Sequence, residues 1–327
     1  MTTVIDVAAS GDQHCETTAS GVLLRHLGLD LSEPMRFGLG SGLSFVYWDS
    51  KNMGFPFLGG RVKPFELTRN LATQLGLDLR EAETTSPRKA WAEVAAVLNA
   101  GDPVGLQLDS YHLEYFSSKV HFGGHMVAVY GYDEHDAYLV DTDQQGGKVA
   151  TSLTSLAAAR AERGPMTAKH RSFTLSGTWL APESRLVPAV TACAREFLNP
   201  PIANLGCRGI EKAAVQVRKW LQRTDTPERD LPQAAMLMER GGTGGALFRA
   251  FYRDFLGECT HYLTSADLHT AHRLFTESAT LWTEVATAIA EAGRSGNTTP
   301  LTHAGTLLHD ISRLEHTAMT ALLRLEP

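Results

Sequence analysis

The chain changes character once, near Ala181-Pro182-Glu183. Before that point short apolar runs alternate with amphipathic stretches, and beyond it nearly every segment carries helical periodicity. A switch of this kind admits few architectures, and it predicts an α+β amino-terminal domain over 1–181 followed by an all-α domain over 182–327. In the first half, residues 15–29 read as a helix with Val22, Leu23 and Leu27 on its apolar face, stopped by Gly28. The Gly-rich stretch 37–48 has a strand in its second half. Helices are expected over 65–75 and 87–98, the latter with Pro87 in its first turn. A buried strand follows over 104–109, then a hairpin of 125–132 with 137–140 around the loop 133–136. A short helix over 151–161 and a strand over 172–180 complete this half. In the second half the pattern gives helices near 188–198, 207–223, 230–240, 244–257, 264–292 and 299–325. Breaks fall at Asn199-Pro200-Pro201, Thr226-Pro227, 241–245 and 293–300.

Composition narrows the function classes. With 43% apolar and 20% charged residues, the chain has an ordinary soluble make-up. Its net charge is −6, and no basic patch suits nucleic acid. The start, Met1-Thr2-Thr3-Val4-Ile5-Asp6, lacks a basic n-region, so no signal peptide is expected. No run of apolar residues is long enough for a membrane span, and a cytoplasmic location follows as the expectation. The four cysteines, Cys15, Cys193, Cys207 and Cys259, show no CxxC spacing, and a chain this long needs no disulfide framework. The last three lie in helical patterns and read as small buried hydrophobes.

Cys15 is different, because it opens a helical pattern in Gly11-Asp12-Gln13-His14-Cys15-Glu16-Thr17-Thr18. The unpaired N–H groups and positive dipole end of a helix start stabilise a thiolate. Downstream, His125 opens a strand after Phe122-Gly123-Gly124, and Asp141 closes the next strand sixteen residues later. A Cys, then a His, then an Asp in these settings supplies a nucleophile, a base and a group that orients the base. This is the chain order of a papain-like site. Strand parity adds a condition. A four-residue loop at 133–136 would put His125 and Asp141 on opposite sheet faces, so an odd loop or a bulge is required; Asp143 is the fallback orienter. Gln13, His14 and the backbone N–H of Cys15 are candidate donors to an oxyanion.

Other features carry less. His121 and His125 have a spacing that binds zinc on a helix, but the intervening glycines and the following strand argue against it, and no metal or cofactor is expected. Arg240-Gly241-Gly242-Thr243-Gly244-Gly245 precedes a helix yet lacks a preceding strand and a P-loop Lys, so it reads first as a turn with packing. Arg61, after Gly59-Gly60, joins Arg240 and Tyr47 as a candidate substrate contact. No Gly-x-Ser-x-Gly elbow is present.

The segments His14-Cys15-Glu16-Thr17, Phe37-Gly38-Leu39-Gly40-Ser41-Gly42, Gly59-Gly60-Arg61 and His121-Phe122-Gly123-Gly124-His125 together resemble the amino-terminal domain of the butirosin biosynthesis acyltransferase family. The helical tail from Arg240 to Arg249 looks like the domain that commonly follows it. The block from His125 to Asp141 also resembles cysteine peptidases that process double-glycine leaders. The resemblance implies a papain-like fold and transfer of an acyl group from a carrier-protein phosphopantetheine thioester to a small-molecule amine, in antibiotic or other secondary-metabolite biosynthesis. Carried over, Cys15 is the nucleophile, His125 the base and Asp141 the orienter, and the helical domain is a lid, an acceptor site or a carrier-protein site. Three alternatives stand beside transfer: intramolecular cyclisation to a lactam or cyclic imine, hydrolysis as a thioesterase or amidase, and a non-catalytic binding protein.

Overall fold

The computed structural model describes residues 2–9, 11–50, 53–164 and 166–326. Its first elements are β1 (Thr3–Val4), α1 (Cys15–His26), α2 (Glu33–Leu39), β2 (Leu43–Trp48), β3 (Phe57–Arg61), α3 (Glu66–Leu75), β4 (Asp78–Ala82), α4 (Pro87–Ala100) and β5 (Val104–Leu108). There follow β6 (His125–Tyr132), β7 (Asp136–Val140), β8 (Lys148–Ser152), α5 (Leu153–Ala161) and β9 (Ser172–Ser176). The remainder is helical: α6 (Leu186–Leu198), α7 (Gly206–Gln216), α8 (Pro227–Arg240), α9 (Arg249–Cys259), α10 (Ala266–Ser295) and α11 (Thr299–Leu322). Among the described residues no helix is long and apolar enough to cross a membrane.

The chain forms two compact units, one from 1–36 with 68–180 and the other from 37–67 with 181–327. The α+β and helical characters fall as the sequence predicts, but 37–67 leaves the amino-terminal half and packs with the second unit. Its residues show why. Phe37 stacks on Phe248 at 5.6 Å, Gly38 lies directly against the Phe255 ring, and the Ser44 carbonyl accepts from Arg249 Nη1.

The first unit is built on an antiparallel sheet in the order β4-β9-β5-β6-β7-β8, with β1 beside β6. Alternate residues Leu106, Val127, Val129 and Leu139 form one apolar core with Val94 and Leu98 of α4 and Leu156 and Ala159 of α5. Helix α4 has both end signals. The Ser86 side chain accepts from Lys89 N, Pro87 occupies the first turn, and Gly101 closes it at φ 98°. Helix α1 packs against β5 and β6 with residues 15–24 all buried. Strands β4 and β8 are among the elements the sequence pattern misses, with β1 and α2. Both β4 and β8 are sheet edges carrying charged or polar residues, so no apolar alternation marks them.

One irregularity in this sheet matters for the chemistry. The loop between paired residues Tyr132 and Ala137 keeps its four residues, yet the β6–β7 register shifts between Val129 and Gly131. Tyr130 is the extra residue of a bulge. Past it, Val129 faces Leu139 and Ala128 faces Val140. Continuing this register sets Asp141 opposite Val127, which shares a face with His125. The bulge therefore meets the parity condition without changing the loop.

The second unit holds the β2–β3 pair and helices α6–α11. At its centre Arg249 and Glu315, both without exposed side-chain surface, form a bidentate ion pair at 2.8 and 2.9 Å. Glu315 Oε1 also accepts from Ser278 Oγ at 2.6 Å and Trp282 Nε1 at 2.9 Å. The Gly-rich segment before α9 is a packed turn. Thr243 Oγ1 donates to the Met238 carbonyl, and Ala246, Leu247 and Phe248 take positive φ of 51°, 49° and 72°, which delays the helix expected from 244 until Arg249. A Cβ on Gly60 would lie 2.1 Å from the Leu247 carbonyl oxygen, so the two glycine motifs serve each other.

Candidate active site

The turn into α1 is pinned from several sides. His14 is the N-cap residue in extended conformation, φ −101° and ψ 126°, and its side chain makes no capping bond. A distant carboxylate holds the turn before the helix instead. Glu33 accepts from Gln13 N at 2.9 Å, His14 N at 2.8 Å and Thr17 Oγ1 at 2.7 Å. Burial pushes the Glu33 carboxyl up, while the two backbone bonds work the other way. One residue earlier, Asp12 pairs with Arg36 at 2.5 Å, both buried. The Asp12 carbonyl accepts from Asp143 N at 2.8 Å, which joins the turn before Cys15 to the loop after Asp141.

Against this turn stands a relay of side chains. His125 Nε2 lies 2.7 Å from Asp141 Oδ2, and the Cys15 side chain stands near enough to His125 to raise its pKa. Asp141 is itself fixed: Oδ1 accepts from Thr142 N at 2.6 Å and Oδ2 from the Tyr115 hydroxyl at 2.8 Å. Burial, then the Asp141 charge, pushes the Tyr115 hydroxyl well above its usual range, so it stays a donor. Phe116 stands edge-on to the His125 ring at 5.1 Å. The three groups are nearly closed to solvent, with Cys15 8%, His125 6% and Asp141 1% exposed.

Burial alone would lower the His125 pKa, but the Asp141 carboxylate and the Cys15 side chain outweigh it and raise it to about 10. A group raised in the folded state adds stability that is full below its unfolded value and is lost as pH climbs through its folded value. The stability advantage of the protein over its His125→Gln variant should be largest below pH 6.5 and should fall as pH approaches about 10. Thermal denaturation of both across that window measures it; a constant gap would mean that no such ion pair forms.

The structure thus brings Cys15, His125 and Asp141 together in the first unit. Asp143 does not replace Asp141, since it starts a short 3-10 turn over Asp143–Gln145. Gln13 is exposed and His14 buried, and the backbone N–H of each is committed to Glu33. Arg61, Arg240 and Tyr47 all belong to the second unit. Tyr47 is core: it is buried, its hydroxyl donates to Asp49, and burial with the Asp49 charge pushes it up to about 12. Arg240 is exposed at the end of α8, and Arg61 is half-buried with Nη1 on the Val62 carbonyl. Sequence reasoning missed Glu33 and Tyr115, whose positions in a helix start and a loop carry no spacing signal.

Two further comparisons sharpen the site. Cys193, Cys207 and Cys259 are buried in α6, α7 and α9, and burial pushes each thiol up to about 12. None of the three has a His partner of this kind among the interactions that shift it. The pair His121 and His125 does not share a ligand: His121 Nδ1 turns to Asp109 at 3.3 Å, whereas His125 turns to Asp141. A cation could instead be held by His112, His121 and Glu162, whose ligand atoms lie within 4.8 Å of one another.

A thiol beside a buried, carboxylate-held imidazole is an arrangement suited to nucleophilic attack on a carbonyl. A family model described as Butirosin biosynthesis protein H, N-terminal, matches residues 14–142, a span that contains Cys15, His125 and Asp141. A second, described as Domain of unknown function (DUF4872), matches residues 154–322, just over half of the chain. No curated protein matches the chain.

Proposed function

The chain belongs to the family defined by the DUF4872 domain, carried behind a butirosin-biosynthesis-protein-H-type amino-terminal domain, and from that premise we propose that it is a cysteine-dependent acyltransferase of antibiotic-type biosynthesis. The contact chain from Cys15 through His125 to Asp141 carries this reading. The reaction runs in two steps, on a catalytic domain of papain-like type. Cys15 thiolate attacks the carbonyl of a carrier-bound phosphopantetheine thioester. The C–S bond to pantetheine breaks, and its thiol leaves with the proton from the His125 imidazolium. An amine then attacks acyl-Cys15, His125 takes the amine proton, and the amide departs as the thiolate is restored. The Cys15 backbone N–H at the helix start is the proposed oxyanion donor. The helical unit is the proposed carrier or acceptor recognition element.

Transfer is favoured over hydrolysis by the low exposure of all three groups, because an acyl-enzyme shielded from water survives until an amine arrives. Intact-mass measurement after incubation with an acyl-pantetheine thioester tests the scheme. The expected result is a single acyl adduct on Cys15 that an added amine discharges as an amide. Rapid discharge by water alone would replace the transferase with a thioesterase; discharge as a cyclic product would make it a cyclase. No adduct, with Cys15 also inert to iodoacetamide, would reduce the site to a binding protein.

A further inference from the structure

We propose that His112, His121 and Glu162 form a site for one divalent transition-metal ion of the zinc class. This site is independent of the acyl-transfer reading. Two imidazoles and one carboxylate are a ligand set that suits zinc, with a coordination position left open. All three residues belong to the first unit, and His112 and Glu162 are fixed through their backbones. His112 closes the short turn Ser110–His112, and its carbonyl accepts from Ser155 Oγ at 2.6 Å. Glu162 is the C-cap of α5, and its carbonyl accepts from Thr167 Oγ1 at 2.9 Å.

The third residue is oriented by a buried carboxylate. Asp109 Oδ1 accepts from Tyr111 N at 2.9 Å and from Phe122 N at 3.2 Å, so one side chain ties together the two segments that bear the histidines. Its other oxygen lies 3.3 Å from His121 Nδ1. A carboxylate on one imidazole nitrogen fixes the tautomer and leaves the other, Nε2, for a metal, the usual outer-sphere arrangement of a zinc histidine. The Tyr111 ring stacks on His121 at 4.0 Å and 12°, which holds the imidazole plane.

The spacing fits an ion with little movement. His112 Nε2 and Glu162 Oε2 are 2.5 Å apart, and the three ligand atoms lie within 4.8 Å of one another. Tetrahedral ligands about 2.0–2.1 Å from zinc stand about 3.3 Å from each other. The pair must open and the third ligand close in, both by side-chain rotation. His121 is exposed and the other two are partly exposed, so an ion has access.

The test is calorimetric titration of the full chain with zinc chloride, carried out on a Cys15→Ser background so that no thiolate competes. We expect one ion per chain with micromolar affinity. Asp109→Asn should weaken binding by about 10–100-fold, and Glu162→Gln and His121→Ala by at least as much. Glu162→Gln keeps the side-chain shape, so a folded variant that has lost zinc affinity supports the site. Cobalt substituted for zinc should show weak d–d bands without a thiolate charge-transfer band. Absence of binding in the micromolar range, or binding that survives Glu162→Gln and His121→Ala together, would overturn the proposal. Either outcome leaves the Cys15 adduct experiment unaffected.

Discussion

Replacing His125 by alanine is expected to slow alkylation of Cys15 by iodoacetamide at neutral pH by about tenfold or more, since a thiol without a charge partner is only a few per cent thiolate there. The reason is electrostatic. Cys15 is almost buried, and the imidazole beside it is held by Asp141. Cys193, Cys207 and Cys259 provide an internal control, since their thiols are pushed up to about 12 and should stay slow in both proteins. Asp141→Asn should give a smaller loss, because the imidazole remains but its charge is no longer supported. Tryptic mapping of the labelled site against time reads all of these. Equal Cys15 rates in the native protein and His125→Ala would remove the basis for a thiolate–imidazolium pair.

Glu315→Ala is expected to destabilise the second unit by about 3–5 kcal/mol, the cost of leaving a buried charge uncompensated. Arg249 would then keep its contacts to the Ser44 and Leu247 carbonyls but lose both bonds to carboxylate. Ser278 and Trp282 would lose their acceptor as well. A double variant, Arg249→Met with Glu315→Leu, should recover much of the loss, since removing both charges also removes the desolvation cost. Chemical denaturation of the single and double variants separates the effects. A loss below about 1 kcal/mol would fit a surface-like pair and contradict a desolvated one.

How much of this was legible in the sequence follows from local physics. The start of α4 is written as Pro87 in its first turn, and the structure places it there, with the helix running two residues past the expected Leu98. The hairpin of β6 and β7 shows as two apolar runs around a polar loop. The need for an odd loop or a bulge followed from parity alone, but the bulge at Tyr130 did not, because an inserted strand residue leaves no mark in an apolar run. The edge strands β4 and β8 stayed hidden for want of an apolar face. At the site, residue types and order pointed to Cys15, His125 and Asp141. Glu33 was invisible because it holds a turn nineteen residues behind it, and Asp109 because its ties to Tyr111 and Phe122 are made by tertiary folding. The grouping of 37–67 with the second unit is hidden for a similar reason: the residues that cover it lie some two hundred positions later.

That same interleaving sets an order of events during synthesis. Residues 37–67 leave the ribosome early, yet Arg249, which meets Ser44, follows 205 positions behind, and its carboxylate partner Glu315 lies closer still to the carboxy terminus. The β2–β3 pair must wait, uncovered, until almost the whole chain has been made. Closing so wide a loop delays folding more than it weakens the folded state. A nascent chain of this kind has a long interval in which Phe37, Phe45 and Leu43 are apolar surface, and that interval is where chaperone dependence and misassembly arise.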